Sequence, residues 1–397
     1  MSPSPVGARL TICVWVMDRP ERFATPLYVT RPVLPSLETV YGHLEDLWTS
    51  RVLSNQGPKH EWLEQELRSV MRVRHLTLFA NGTLALTLGL RAFGLRGEVI
   101  TTPFTFPATP HAIAWNGAVP VFCDVHPETL CIDPAAVEAM ITPRTEAILG
   151  VHVYGFPCDV DALQRIAERH GLRVIYDAAH AFLTEVDARP IGDFGDLSMF
   201  SFHATKLFHT AEGGCLVYRD PSLSPKLDLL KNFGIQDENS VLMAGLNAKL
   251  NEVQCAIGLA MINEIEPERA RRAAIKRRYL ELLSTIDGVH YRRLPDDVKD
   301  SFQYMPIRIN AEEFGLTRDE VYRELLSFNI YSRKYFFPLC TDYAPYANAR
   351  TGEIPNARAA ASEVLCLPFY GDMGLEAVDR ICDILRYVRA KAPRKRF

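Results

Sequence analysis

What this chain lacks narrows it first. No stretch approaches the roughly 20 consecutive apolar residues that cross a bilayer as a helix, so a membrane-spanning protein is not expected. No CxxC pair occurs. The nine cysteines (Cys13, Cys123, Cys131, Cys158, Cys215, Cys255, Cys340, Cys366 and Cys382) are odd in number and scattered, which argues against a disulfide framework or a zinc site. Most sit in apolar runs such as Val121–Asp124 and Gly214–Val217, where free cysteine acts as a small hydrophobe, and a reducing cytosol suits such a set. An excess of one charge is missing too. With 44 Lys+Arg against 48 Asp+Glu the net charge is -4, which gives no global electrostatic reason to coat nucleic acid or an anionic membrane. There is no repeat and no low-complexity tract, and 48% hydrophobic against 23% charged residues excludes disorder as the dominant state. A chain of 397 residues can bury a sizeable core and divide into two or three domains.

What is present begins with a short apolar run, Leu10–Met17, behind Arg9. It loosely mimics a signal peptide, but Asp18-Arg19-Pro20-Glu21-Arg22 follows with no small-residue cleavage pattern. Residues 1–25 are read as a poorly ordered N-terminal extension. From His75 onward, short runs rich in β-branched residues alternate with helical patterns. The runs are His75–Phe79, Val99–Thr102, Val119–Val125, Ala147–Val153, Val174–Tyr176, Leu197–Phe202 and Gly214–Val217. The helical patterns are Thr83–Phe93, Thr109–Asn116, Pro134–Met140 and Val160–His170. This alternation predicts a mostly parallel, buried seven-stranded sheet with helices on both faces, and Gly213-Gly214 suggests a final antiparallel strand. After Asn247 the pattern changes: a helical region over Glu252–Ile286 interrupted near Pro267, strands at Val289–Arg292 and Gln303–Ile309, a helix at Arg318–Ser327, extended segments at Ile330–Phe337 and Val364–Pro368, and a last helix at Leu375–Ala390. The expected organisation is a large α/β domain over 26–250 and a smaller α+β domain over 251–397.

Four positions bear on chemistry. Asn81-Gly82-Thr83 follows a strand and opens a helix, where the free amides of the first turn favour an anion such as a phosphate; from the tripeptide alone an ordinary Asn-Gly turn with a Thr cap is the better reading. Asp177 ends the run Val174–Tyr176, and the carboxyl ends of parallel strands face the ligand crevice; a helix N-cap is the alternative. Lys206 follows the strand Leu197–Phe202. A lysine buried there is costly unless paired or used, for instance as a Schiff-base amine, whereas a surface lysine is the plain reading. Asn247 falls at the domain boundary. A phosphate-type turn, an acid at one strand end and a lysine at another match the phosphate, ring nitrogen and aldehyde of pyridoxal 5'-phosphate.

Five motifs carry a resemblance. They are Asn81-Gly82-Thr83-Leu84-Ala85-Leu86, Thr105-Phe106-Pro107-Ala108-Thr109, Tyr176-Asp177-Ala178-Ala179-His180-Ala181, Phe200-Ser201-Phe202-His203-Ala204-Thr205-Lys206, and Leu246-Asn247-Ala248-Lys249-Leu250-Asn251-Glu252-Val253-Gln254. In that order they resemble the DegT/StrS family of nucleotide-sugar aminotransferases, of the type I pyridoxal-phosphate fold, from about Arg31 to the C-terminus. The resemblance implies roles. Lys206 would hold the cofactor aldehyde and move the proton in both half-reactions. Asp177 would pair with the pyridine nitrogen, His180 with the phenolic oxygen, and Phe106 would stack on the ring. Gly82, Thr83 and Ser201 would hold the phosphate, and Asn247 would reach the phosphate of a neighbouring subunit in a homodimer with shared sites. Arg333, Tyr335 and Phe336 would border the sugar, Arg333 binding a carboxylate or diphosphate or else remaining solvated. His203 and His209 read as packing or phosphate-side residues, and His152 and Tyr154 as either cleft-lining or strand-end packing.

The implied reaction takes an amino group from L-glutamate to a nucleotide-linked keto-sugar. Family members that dehydrate sugars carry histidine where this chain has Lys206, so transamination is expected. The Arg31–Leu37, Asn55–Pro58, Phe200–Lys206 and Tyr335–Leu339 segments together look most like the branch that makes dTDP-4-amino-4,6-dideoxyglucose. A 3-aminotransferase of a 3-keto sugar, an aminocyclitol aminotransferase and a cofactor-binding regulator without turnover are the other readings. One departure stands out: Phe182-Leu183 occupies the place of a small residue and glycine, which puts the local turn in question.

Overall fold

The computed structural model describes residues 18–392. The apolar runs form strands β1 (Leu76–Phe79), β2 (Glu98–Thr101), β3 (Val119–Phe122), β4 (Thr145–Val151), β5 (Arg173–Asp177), β6 (Leu197–Ser201) and β7 (Gly214–Tyr218). They make one seven-stranded sheet in the order β1-β7-β6-β5-β4-β2-β3. Pairing is parallel from β3 across to β6, and β7 runs antiparallel between β6 and β1. The strands are buried along nearly their whole length, as a sheet covered on both faces requires.

Local chemistry sets the ends of the elements. The helix Gly82–Phe93 starts where the Asn81 side chain accepts from the Leu84 N–H at 2.8 Å, and it stops at Gly94 in the left-handed region. Gly214 opens β7 against that helix start: a Cβ on it would meet the Gly82 backbone at 2.7 Å. The carboxyl ends of β1, β6 and β5 therefore open onto one crevice, with β7 packed tightly between the first two.

A second core lies on the C-terminal side. Strands β8 (Val289–His290), β9 (Met305–Ile309) and β10 (Val364–Leu367) form an antiparallel sheet. The helices Ile265–Leu283, Arg318–Ser327 and Leu375–Lys391 contribute Tyr279, Leu325, Ile381 and Leu385 to the same core. Leu27 joins it through a short parallel pairing of Leu27–Tyr28 with Ile330–Tyr331.

Several expectations shift. The helical region after Asn247 breaks at Asn263–Glu264, between Glu252–Ile262 and Ile265–Leu283; Pro267 sits in the first turn of the second helix, where no intrahelical N–H is needed from it. The first of these helices packs with the large core through Cys255, Leu259 and Met261. Of the extended segment expected over Ile330–Phe337, only Ile330–Tyr331 is strand. The expected 1–25 extension lies mostly outside the described residues. Its described part, 18–25, has no regular structure but is tied to the second core: the Phe23 N–H donates to the Phe328 carbonyl at 3.1 Å, and the Arg380 guanidinium covers the Phe23 ring at 4.4 Å. Among the described residues no helix is long and apolar enough to cross a membrane, and the eight described cysteines are all free and buried.

Candidate active site

The crevice holds a cavity of about 770 Å³. Nine of the ten site residues expected from sequence line it: Gly82, Thr83, Phe106, Asp177, His180, Ser201, Lys206, Arg333 and Tyr335. The tenth, Asn247, does not. It is exposed, outside the cavity, and bridges backbone-to-backbone with Asn232.

Asp177 is 5% exposed. Its Oδ2 accepts from the Thr109 hydroxyl at 2.7 Å and its Oδ1 from the Ala179 N–H at 3.1 Å. Because Thr109 spends its proton on Asp177, the Thr105 hydroxyl 2.8 Å away must donate to Thr109, so the carboxylate is fixed by a two-hydroxyl relay. Burial raises the Asp177 carboxyl above the ordinary range, and these hydrogen bonds and Lys206 only partly oppose it. Lys206 follows β6 on a turn, its own N–H donating to the His203 carbonyl at 2.8 Å. Burial lowers its amine to about 8 despite the pull of Asp177. An amine with that pKa is still mostly protonated at neutral pH, but its free-base fraction is hundreds of times that of an ordinary lysine, which suits a nucleophile or proton carrier.

His180 is fixed from behind. Its Nδ1 lies 3.3 Å from the Tyr154 backbone N–H. A backbone N–H only donates, so Nδ1 is the acceptor and the ring proton sits on Nε2. Burial, with Lys206 adding to it, holds this imidazole neutral, well below its usual range. The Tyr304 ring meets His180 edge-on at 4.9 Å, and Phe336 stacks parallel to it at 6.0 Å.

At the other end stands the N-terminus of the Gly82–Phe93 helix. The Leu84 and Ala85 amides are taken by Asn81, which leaves Gly82 and Thr83 ahead of them at the cavity wall. Ser201 packs against Gly82 so closely that a Cβ there would sit 3.2 Å from the Ser201 Cβ. Backbone amides at a helix start with a hydroxyl beside them form an anion site.

The remaining histidines separate by geometry. His152 is buried, accepts from the Cys158 N–H at 3.1 Å, stacks on Tyr176 at 4.5 Å and falls to about 3, so it packs the strand end. His209 donates from Nε2 to the Val33 carbonyl at 2.6 Å and accepts the Ala211 N–H at Nδ1. His203 is exposed beside Thr205 and Glu212. Tyr154 is buried between Phe104 and Phe336, and its hydroxyl donates to the Tyr335 carbonyl. Leu183 keeps φ at +60°, so the turn that the departure from glycine put in question is retained with leucine, at some backbone strain.

Thr109 and Tyr304 were not expected as site residues, whereas Phe336, expected beside Arg333 and Tyr335, does line the cavity. Thr109 stood within a quoted motif but needed the fold to bring it to Asp177. Tyr304 comes from the C-terminal part of the chain, ahead of β9, packs with the large core, and no local pattern marks it. Among the described residues no group of His, Cys, Asp and Glu could hold a metal ion.

The architecture is the type I pyridoxal-phosphate-dependent transferase fold. The chain matches the DegT/DnrJ/EryC1/StrS aminotransferase family over residues 38–386, and it belongs to that family. It is 42% identical over 366 residues to the dTDP-4-amino-4,6-dideoxy-D-glucose transaminase of Shigella dysenteriae, covering 92% of this chain and 99% of that protein. The Escherichia coli protein of the same name is 39% identical over 363 residues, 90% and 97% of the two chains. Among solved structures, DesI in the presence of its TDP-sugar product superposes with a TM-score of 0.90 at 36% identity, covering 94% of this chain and 95% of that one.

Proposed function

We propose that the chain is a pyridoxal 5'-phosphate-dependent aminotransferase that moves an amino group from L-glutamate to dTDP-4-dehydro-6-deoxy-D-glucose, giving dTDP-4-amino-4,6-dideoxy-D-glucose. One observation carries the chemistry: a lysine amine lowered to about 8 and a buried carboxylate share one cavity with a helix-start anion site. The donor set fits the cofactor. Gly82, Thr83 and Ser201 would hold the phosphate, Asp177 the ring nitrogen, and the Nε2–H of His180 the phenolic oxygen. Phe106, 52% exposed at the cavity wall, has a ring free to stack on a flat partner. When bound, the cofactor supplies the aldehyde and the electron-withdrawing ring. A protonated ring nitrogen beside Asp177 would supply the positive charge that this buried carboxylate lacks, and Thr109 keeps the carboxylate aimed. Lys206 is the base that takes a proton from the carbon bearing nitrogen and returns it nearby. One amine serves both half-reactions because it stays on one turn of the same cavity wall.

The sugar assignment rests on the two transaminases, each similar over 90% or more of the chain, and on DesI. Arg333, exposed, with its guanidinium 4.9 Å from the Tyr335 ring, is the cation that would meet a diphosphate. A homodimer fits the surface. The helix Leu37–Ser50 buries only Leu47 and leaves Leu37 83%, Tyr41 64% and Trp48 74% exposed, an unusual face for a monomer. Asn247, outside its own cavity, is placed in this proposal at the partner's phosphate. Incubating the purified protein with glutamate and dTDP-4-dehydro-6-deoxy-D-glucose tests the assignment. NMR of the product should place nitrogen on C4; nitrogen on C3, or no amino sugar, overturns it.

A further inference from the structure

Gln303 is 2% exposed, and its side chain reaches out of the segment just ahead of β9 into the other domain's site. Its Nε2 donates to the Thr205 carbonyl at 3.0 Å, and its Oε1 accepts from the Leu207 N–H at 3.0 Å. These two groups belong to the peptide units immediately before and after the Lys206 Cα. Holding both planes fixes φ and ψ of Lys206, and hence the direction of its Cα–Cβ bond. A single primary amide is the side chain that offers one donor and one acceptor at that spacing.

The segment is seated as well as bonded. Ser301, 1% exposed, rests where Gly155 has no side chain: a Cβ on Gly155 would meet the Ser301 Oγ at 2.0 Å. Tyr304, the residue after Gln303, sets its ring 5.8 Å from the Lys206 Nζ and edge-on to His180 at 4.9 Å. One stretch of the smaller domain thus touches the backbone of Lys206, its amine, and the neighbouring imidazole.

We propose that Gln303 is a positioning residue that holds the reactive lysine from the second domain by clamping both peptide groups that flank it. The proposal rests on reading Lys206 as the reactive amine. Its consequence is that the lysine's aim depends on how the two domains are seated against each other, through one amide.

The test compares Gln303→Met, which keeps the volume and loses both hydrogen bonds, with Gln303→Glu, which keeps the acceptor for Leu207 but sets a carboxylate oxygen against the Thr205 carbonyl. Hydrogen exchange of the Leu207 amide, read by mass spectrometry on a peptide spanning it, should quicken by about 10-fold or more in Gln303→Met and much less in Gln303→Glu. Labelling of Lys206 by an amine-reactive reagent across pH, on protein freed of cofactor, should shift upward in Gln303→Glu because an anion now stands near the amine. In the loaded enzyme kcat should fall about 10- to 100-fold in Gln303→Met with little change in the KM for glutamate, the signature of a misaimed group rather than lost binding. If Gln303→Met does not fold, Gln303→Asn, whose amide stops a methylene short, gives the same readings. Unchanged Leu207 exchange together with unchanged kcat, or a kcat loss matching only the fraction unfolded, overturns the proposal. If the unsubstituted protein shows no aminotransfer, the proposed reaction fails, while the exchange and labelling experiments still decide the role of Gln303.

Discussion

Two buried ionic groups, one in each core, are built from similar side chains and left in opposite states. Beside the second core Glu268 and Arg272 are each about 1% exposed and fully matched. Glu268 accepts from the Arg272 Nε at 2.6 Å, the Arg271 Nε at 3.0 Å and the Gly371 N–H at 2.8 Å, while Arg272 also donates to the Phe302 carbonyl at 3.2 Å. In the cavity Asp177 receives only neutral donors, and among the described ion pairs none joins it to Lys206. A satisfied buried pair is architecture. A carboxylate and an amine buried close enough to feel each other, but each short of a partner, are groups held ready for a ligand.

Four substitutions break or sharpen that contrast. Lys206→Ala should lower turnover by at least about 1,000-fold, the scale of a lost general base, while leaving urea denaturation unchanged or improved. Glu268→Gln should do the reverse. It strands a buried guanidinium and should lower stability by about 3–5 kcal/mol in a denaturation titration, yet the folded fraction should still turn over. Similar behaviour of the two variants would erase the distinction. Thr109→Val removes the hydroxyl that donates to Asp177. The carboxyl should rise further, the acid limb of the pH–rate profile should move to higher pH, and kcat should fall by about 10-fold, the worth of one hydrogen bond to a charged group.

The smallest effect concerns stability alone. Lys206, lowered to about 8 in the folded protein, lies below its unfolded value of 10.5. Below pH 8 the amine is charged in both states and the folded state carries a burial penalty. Between about 8 and 10.5 the unfolded chain binds more protons, so stability rises with pH and the penalty disappears. Lys206→Met in protein freed of cofactor should therefore raise the melting temperature below pH 8 and lose that advantage toward pH 10.5. A constant difference across the range would mean the lysine is not held with a lowered pKa.

The strands were legible because length and composition mark them: the seven runs are short and apolar, as strands buried on both faces require, and Val99–Thr102, Val119–Val125 and Ala147–Val153 are rich in β-branched residues. The position of the helix break was not, since Pro267 looks like a breaker in sequence but is harmless in a first turn. Seven of the nine cavity residues were readable from motifs that follow strands, and Arg333 and Tyr335 only from the resemblance of their segment. Thr109, Gln303 and Tyr304 were not, because a threonine in a helix and a glutamine and tyrosine ahead of a strand carry no local sign of what they will face. That the helix Leu37–Ser50 buries so little of its apolar face is a fact of packing.

By itself the sequence determined which chemistry was on offer: a lysine and an aspartate at the ends of buried strands and a glycine-led helix start, in a chain order that suits one cofactor. Only the tertiary structure decided how those groups are held. Hydrogen bonding and burial depend on neighbours distant along the chain: the relay from Thr105 through Thr109 to Asp177 and the neutral tautomer of His180 arise as the large core packs, and the grip of Gln303 on both sides of Lys206 arises when the segment ahead of β9 seats against it.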